Sequence, residues 1–154
     1  MIPTRLFAVS LVALLMALAG CGSSPKTVTK AQYQSHLAKT SQAVTLAGQQ
    51  LGKVITIAEF DGAVTDLQKA LRDGEKELKG LRPPANAQAA NEQLAQAFGD
   101  LADALEKVKE ARRVSIVKAR QALGGLDQTY AINQGRAAIK ELNKLGYSAD
   151  AASP

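Results

Sequence analysis

Apolar residues recur in alternating steps of four and three along most of this chain, the period of helices that bury one face against neighbours. One seam runs Tyr33, Leu37, Thr40, Val44, Ala47 and Leu51, and a second runs Phe60, Val64, Leu67, Leu71, Gly74, Leu78 and Leu81. Each opens on a capping box: Thr29-Lys30-Ala31-Gln32 between Val28 and Tyr33, and Thr56-Ile57-Ala58-Glu59 between Ile55 and Phe60. In both, the Thr hydroxyl can accept from the third residue's N–H while the Gln or Glu reaches back, and the flanking apolar pair staples the entry. The second box turns Val54-Ile55-Thr56-Ile57, whose β-branched content would suit a strand, into a corner between helices expected at 29–52 and 56–80.

Gly80 can end the second helix, Pro83-Pro84 forbids its continuation, and Pro84 suits the first position of a third. The third seam runs Leu94, Phe98, Leu101, Leu105 and Val108, meets Arg112 where an apolar residue belongs, and resumes at Ile116, Ala119, Leu123 and Leu126. The step from Leu105 to Ile116 is eleven residues instead of seven. Such a stutter predicts a change of neighbours near Arg112 within one helix reaching Gly124. Gly99 is the only Gly or Pro between Pro84 and Gly124, so the part beyond Arg112 is expected to project past its partners, with a bend as the alternative. Gly124-Gly125 stops the helix, Asp127 can cap a fourth with Ile132, Ile139 and Leu142 on its seam, and Gly146-Tyr147 suits a Schellman ending with Tyr147 folded on Leu142. The expected fold is all-α, an antiparallel three- to four-helix bundle with a long third helix over residues 29–147, followed by a frayed tail at 148–154.

Ahead of the bundle, Arg5 precedes an apolar run from Leu6 to Ala19 of 14 residues, a length typical of a signal-peptide core and short of the roughly 20 residues that span a bilayer. Leu18-Ala19-Gly20-Cys21 resembles the lipobox of bacterial lipoprotein precursors. The resemblance implies removal of residues 1–20, a diacylglyceryl group on the Cys21 thiol with or without an N-acyl chain, palmitate being a typical acyl chain, and attachment to the outer face of the cell membrane. Buried methylenes contribute about 0.8 kcal/mol each, so two chains anchor stably. Cys21 is the only cysteine, so no disulfide forms within the chain and packing must stabilise it. Polar, aperiodic Gly22-Ser23-Ser24-Pro25-Lys26 makes residues 21–28 the lipidated cysteine and a flexible tether.

Leu81-Arg82-Pro83-Pro84-Ala85-Asn86 and the Ala-, Gln- and Leu-rich helix that follows are similar to small helical lipoproteins of high-GC Gram-positive bacteria, which place Leu-x-Pro-Pro-Ala between two long helices. Many of them carry His several residues after the proline pair, where this chain has Asn91. The resemblance implies anchoring and a helical fold; it implies no activity.

Candidate chemistry is sparse. His36 is the sole histidine, so with Cys21 committed to lipid the zinc, haem and thiol chemistries lack ligands. Asp61, Asp66 and Asp73 fall on different helical faces, without a calcium-loop pattern. Gly124-Gly125 lacks the strand that a phosphate-cradling loop follows. Glu75 with Glu77, and Glu106 with Glu110, stand beside lysines as surface ion pairs do. The expectation is a chain without enzymatic activity, metal or cofactor other than the covalent lipid.

The chain holds 19 Lys+Arg against 14 Asp+Glu, an excess too modest to imply nucleic acid. Lys107, Lys109, Arg112, Arg113, Lys118 and Arg120 nonetheless form a basic stretch, and no acidic residue occurs from Ala111 to Leu126. It reads either as a solvated helix face or as a docking surface for anionic polymer, headgroups or an acidic protein. An up-down-up path places it opposite the tether, which in an upright bundle favours an envelope partner over headgroups. Two functions are expected: a lipid-anchored interaction module of the envelope, or a carrier or sensor accessory holding a small apolar molecule between Ala- and Gly-containing seams.

Overall fold

Both capping boxes form. At α1 (Lys30–Leu51) the Gln32 N–H donates to Thr29 Oγ1 at 3.3 Å and the Thr29 N–H to Gln32 Oε1 at 2.9 Å. At α2 (Ile57–Lys79) the Glu59 N–H donates to Thr56 Oγ1 at 3.2 Å and the Thr56 N–H to Glu59 Oε2 at 2.8 Å. The structure is a computed structural model that describes residues 25–54 and 56–148. The signal segment 1–20 with Leu18, Ala19 and Gly20, the lipidation residue Cys21, the staple residue Ile55 and the end of the tail lie outside the described residues.

Residues 26–28 depart from the expected free tether. Strand β1 (Lys26–Thr27) runs parallel to β2 (Leu81–Arg82), Lys26 opposite Leu81 and Thr27 opposite Arg82. The Lys26 N–H donates to the Gly80 carbonyl at 2.8 Å and the Val28 N–H to the Arg82 carbonyl at 3.2 Å. Val28 is buried in the same cluster as Tyr33, Leu78 and Leu81. Pro83-Pro84 keeps Leu81–Arg82 extended, which leaves its backbone groups free to pair, and burial of Val28 holds this strap down.

A 3₁₀ turn, Ala85–Ala87, leads into α3 (Gln88–Val114). Pro84 therefore stands before that turn, at φ −51° and ψ 144°, instead of opening the helix as expected. The largest correction comes at the other end. α3 stops at Val114 and α4 (Ile116–Gly124) starts one residue later, with Ser115 extended at φ −166° and ψ 157°. Ser115 Oγ accepts from the Lys118 N–H at 3.1 Å, capping α4. Val114, Ile116 and Val117 are β-branched, and with Ser115 they make a run of weak helix formers. Ending the helix there lets Ala119, with Ile116 and Leu123 beside it, pack into the cluster of Leu105 and Val108. The chain thus reverses instead of projecting, and the stutter at Arg112 marks the approach to a break.

A 3₁₀ turn, Gly125–Gln128, joins α4 to α5 (Tyr130–Lys144). Thr129, in place of Asp127, caps α5: its hydroxyl accepts from the Ile132 N–H at 3.4 Å and donates to the Leu126 carbonyl at 2.7 Å. The Schellman ending forms, with Gly146 at φ 75° and the Tyr147 N–H donating to the Leu142 carbonyl at 2.9 Å. That left-handed φ suits glycine because it has no Cβ.

The result is an all-α bundle in which α1 packs on α2, α2 on α3, and both α4 and α5 on α3. One core cluster, around Tyr33, Leu37, Leu78, Leu94, Leu142 and Tyr147, fills the strap end. The other, around Leu51, Phe60, Val64, Leu71, Leu105 and Val108, fills the opposite end, and Phe98 borders both. The starts of α1 and α3 and the ends of α2 and α5 therefore meet at the strap, as the up-down-up path requires.

Candidate functional site

The expected basic stretch spans the apex formed by the end of α3, Ser115 and α4, and the structure divides it. Arg112, half-buried, turns its Nε to Asp61 Oδ1 of α2 at 3.0 Å. Lys109 Nζ donates to Gln68 Oε1 at 3.1 Å and approaches Glu106 Oε1 at 3.4 Å. Glu106 accepts from Gln68 Nε2 at 2.7 Å, and that bond first, then Lys109, holds its carboxyl below the usual range. Lys109 and Arg112 are thus spent on the seam between α2 and α3. Lys107 is exposed, on the face opposite Lys109 and two turns before Val114. Arg113, Lys118 and Arg120 are exposed around the break itself and form the cationic surface of the apex, with Lys107 two turns behind.

Two aliphatic side chains stand among them. Val114 is 68% exposed and Val117 is 72% exposed. Neither belongs to the expected seams, and their exposure follows from the break at Ser115: the seam residue Ile116 turns inward and its neighbours turn out. The cavity beside the apex, about 250 Å³, is lined by Asp61, Thr65, Lys109, Arg112 and Arg113, so the recess is walled by side chains that carry charged or hydroxyl ends, and the two valines are not among them.

At the strap end the polar groups serve the fold. Asn91 is 3% exposed, accepts from the Tyr33 hydroxyl at 3.0 Å and donates to the Leu78 carbonyl at 3.0 Å. Burial, and then the neighbouring Tyr147, pushes the Tyr33 phenol above its usual range. Tyr147 donates to Asn86 Oδ1 at 2.8 Å, meets Tyr33 edge to face, and carries Lys30 Nζ over its ring at 5.1 Å. These groups tie α1, α2, α3 and the end of α5 together, and no motif in the sequence marks Asn91 for this role. His36 is half-buried with Nδ1 at 2.6 Å from Glu77 Oε1.

The largest cavity described, about 660 Å³, opens beside the strap between Leu81, Arg82, Pro83, Asn91 and Gln96; Asn91 is already bonded within the core, and the lining mixes polar and apolar groups. A groove of about 400 Å³ between α1 and α2 is lined by Lys39, Asp66, Lys69 and Asp73 beside Gly74; Asp66 and Asp73, two turns apart, therefore share one face, contrary to the expectation that they fall on different ones. On the core side, a Cβ at Gly74 would stand 2.8 Å from Thr40 Cγ2 and 2.9 Å from Phe98 Cδ2, so the space that this seam glycine leaves is filled by the protein. Among the described residues no three His, Cys, Asp or Glu side chains gather as a metal site, and no helix is long and apolar enough to cross a membrane. Fold and surface together define an all-α bundle with a cationic, aliphatic apex. Comparison with family models, curated proteins and solved structures finds no match.

Proposed function

We propose that this chain is an exported lipoprotein, anchored through diacylglyceryl Cys21 at the outer face of the cell membrane, whose bundle acts in the envelope by contact instead of catalysis. The observation that carries the reading is Leu18-Ala19-Gly20-Cys21 behind a 14-residue apolar run and a basic start. The docked strap supports it. Five peptide steps separate Cys21 from Lys26, so at most about 3.6 Å per residue keeps the strap end within roughly 18 Å of the lipid. A tether this short restricts where the bundle can reach, which suits a module that works beside its own membrane.

Cys21→Ala tests the reading in the native host. Fractionation is expected to show the variant either as an uncleaved precursor or released into the soluble exported fraction, and radiolabelled fatty acid is expected in the parent chain alone. A variant that is processed and stays membrane-bound like the parent overturns the proposal.

A further inference from the structure

We infer that the apex between α3 and α4 is a contact surface for an anionic lipid bilayer, in which Val114 and Val117 enter the headgroup layer while Arg113, Lys118 and Arg120 lie against lipid phosphates. The two valines are among the most exposed large hydrophobic residues described, at 68% and 72%, and they flank the one extended residue that separates α3 from α4. Their surroundings are cationic: the chain carries no acidic residue from Ala111 to Leu126, and Asp61, the carboxylate facing Arg112, is neutralised by it at 3.0 Å. Glu110, one turn before Val114, is the nearest acidic residue in sequence.

The shape of the apex selects the occupant. A partner helix docks its apolar face into an apolar groove, yet here the aliphatic groups protrude and the adjoining recess is lined by Asp61, Thr65, Lys109, Arg112 and Arg113. A protruding aliphatic tip ringed by cations fits a deformable interface, where side chains displace headgroups locally and phosphates rearrange around the charges. Three cations, at about 1 kcal/mol each against an anionic surface, and two valines give modest attachment that is measurable at low ionic strength. A second attachment that keeps the apex near the surface strengthens the contact further, because binding is then intramolecular.

The contact does not depend on the anchor proposed above. Where that anchor is present, attachment at both ends lays the bundle along the bilayer, the opposite of the upright posture expected from the chain path.

All described residues of both core clusters lie between Val28 and Tyr147, so the chain from residue 25 to 154 carries the core of the described residues and lacks Cys21. This chain is to be sedimented at low ionic strength with vesicles of equal parts phosphatidylglycerol and phosphatidylcholine, and with phosphatidylcholine alone. Expected is salt-sensitive binding to the anionic vesicles. R113E/K118E/R120E is expected to weaken it on the order of a hundredfold or more, and V114S/V117S about tenfold, with helix content unchanged by circular dichroism. Leu46→Ser, which alters another exposed aliphatic residue on α1, is expected to bind as the parent does. A polarity-sensitive dye on Val117→Cys is expected to shift to the blue on anionic vesicles. Equal binding to both vesicle types overturns the proposal, as does undiminished binding by both apex variants. Indifference to vesicles combined with salt-sensitive capture of an acidic amphipathic helical peptide overturns it in favour of a protein partner. Because Cys21 is absent from the chain used, none of these failures touches the lipoprotein reading.

Discussion

At the strap end Tyr33 and Tyr147 meet edge to face with ring centroids 5.4 Å apart, both phenols hydrogen-bonded, and Asn91 is bonded on two sides. At the apex Val114 and Val117 are more than two-thirds exposed among cations. A buried polar group must find its partner or lose about 1–3 kcal/mol, so residue choice at the strap end is dictated by the fold. An exposed valine or arginine faces no such demand. The apex is therefore where the chain can carry a surface chosen for what it touches.

The largest effect that would break this contrast is at Leu78, fully buried in the strap-end cluster. Leu78→Ala is expected to cost about 2–5 kcal/mol in denaturant unfolding of residues 25–154, while Val114→Ser stays within about 0.5 kcal/mol. Similar losses in the two variants would mean that the apex also carries the fold.

Asn91→Ala removes the acceptor of the Tyr33 hydroxyl and a donor to the Leu78 carbonyl. A loss of about 1–3 kcal/mol by the same measurement is expected, and a neutral result would show that water replaces the amide and that the end is less sealed than its burial implies.

Ser115→Ala deletes the cap of α4 and is expected to cost about 1 kcal/mol. A thermal melt with no shift would assign the reversal wholly to the packing of Ala119 and its neighbours.

The smallest expected effect is acid-dependent. Glu75, with only 17% of its side chain exposed, lies 2.6 Å from Lys79 Nζ and 3.1 Å from Arg72 Nη1. The Lys79 hydrogen bond first, then that of Arg72 against the opposing effect of burial, lowers its carboxyl below 4.5. A carboxyl depressed in the folded state binds its proton more readily when unfolded, so its contribution is complete above pH 4.5 and is lost as pH falls through the lower folded value. In unfolding midpoints followed across that range, Glu75→Gln is expected to show a shallower acid decline than the parent. Parallel declines would remove Glu75 from the acid response.

What could be read from the sequence was local. The capping boxes at Thr29 and Thr56 and the ending at Gly146-Tyr147 are completed by residues within one turn, so spacing alone locates them. Ser115 is different: its break is worthwhile only because Ala119, Ile116 and Leu123 find cover on α3, a tertiary gain that no window around Ser115 contains. Thr129 outcompetes Asp127 because its hydroxyl also reaches the Leu126 carbonyl, which the preceding 3₁₀ turn presents. The strap joins Lys26 to Leu81 with no local signal in either. Along α3 a seam of large residues shows one face, whereas Ala90, Ala95, Ala97 and Ala102 are buried as well, because helices cover α3 from several sides. The apex was legible as charge; its division was not, since Arg112 and Lys109 are claimed by Asp61 and Gln68 of another helix, and the valines are exposed by the break itself.

The pairing of the two tyrosines also orders the assembly of the chain in time. Each helix packs on one close to it in sequence, and such contacts form early because little loop entropy is spent. Gln34 Nε2 reaches the Gly146 carbonyl across 112 positions, and Tyr33 must likewise wait for Tyr147. A nascent chain can therefore acquire its helical hairpins one after another as they emerge, yet the strap end stays open until the last turn of α5 arrives to close it.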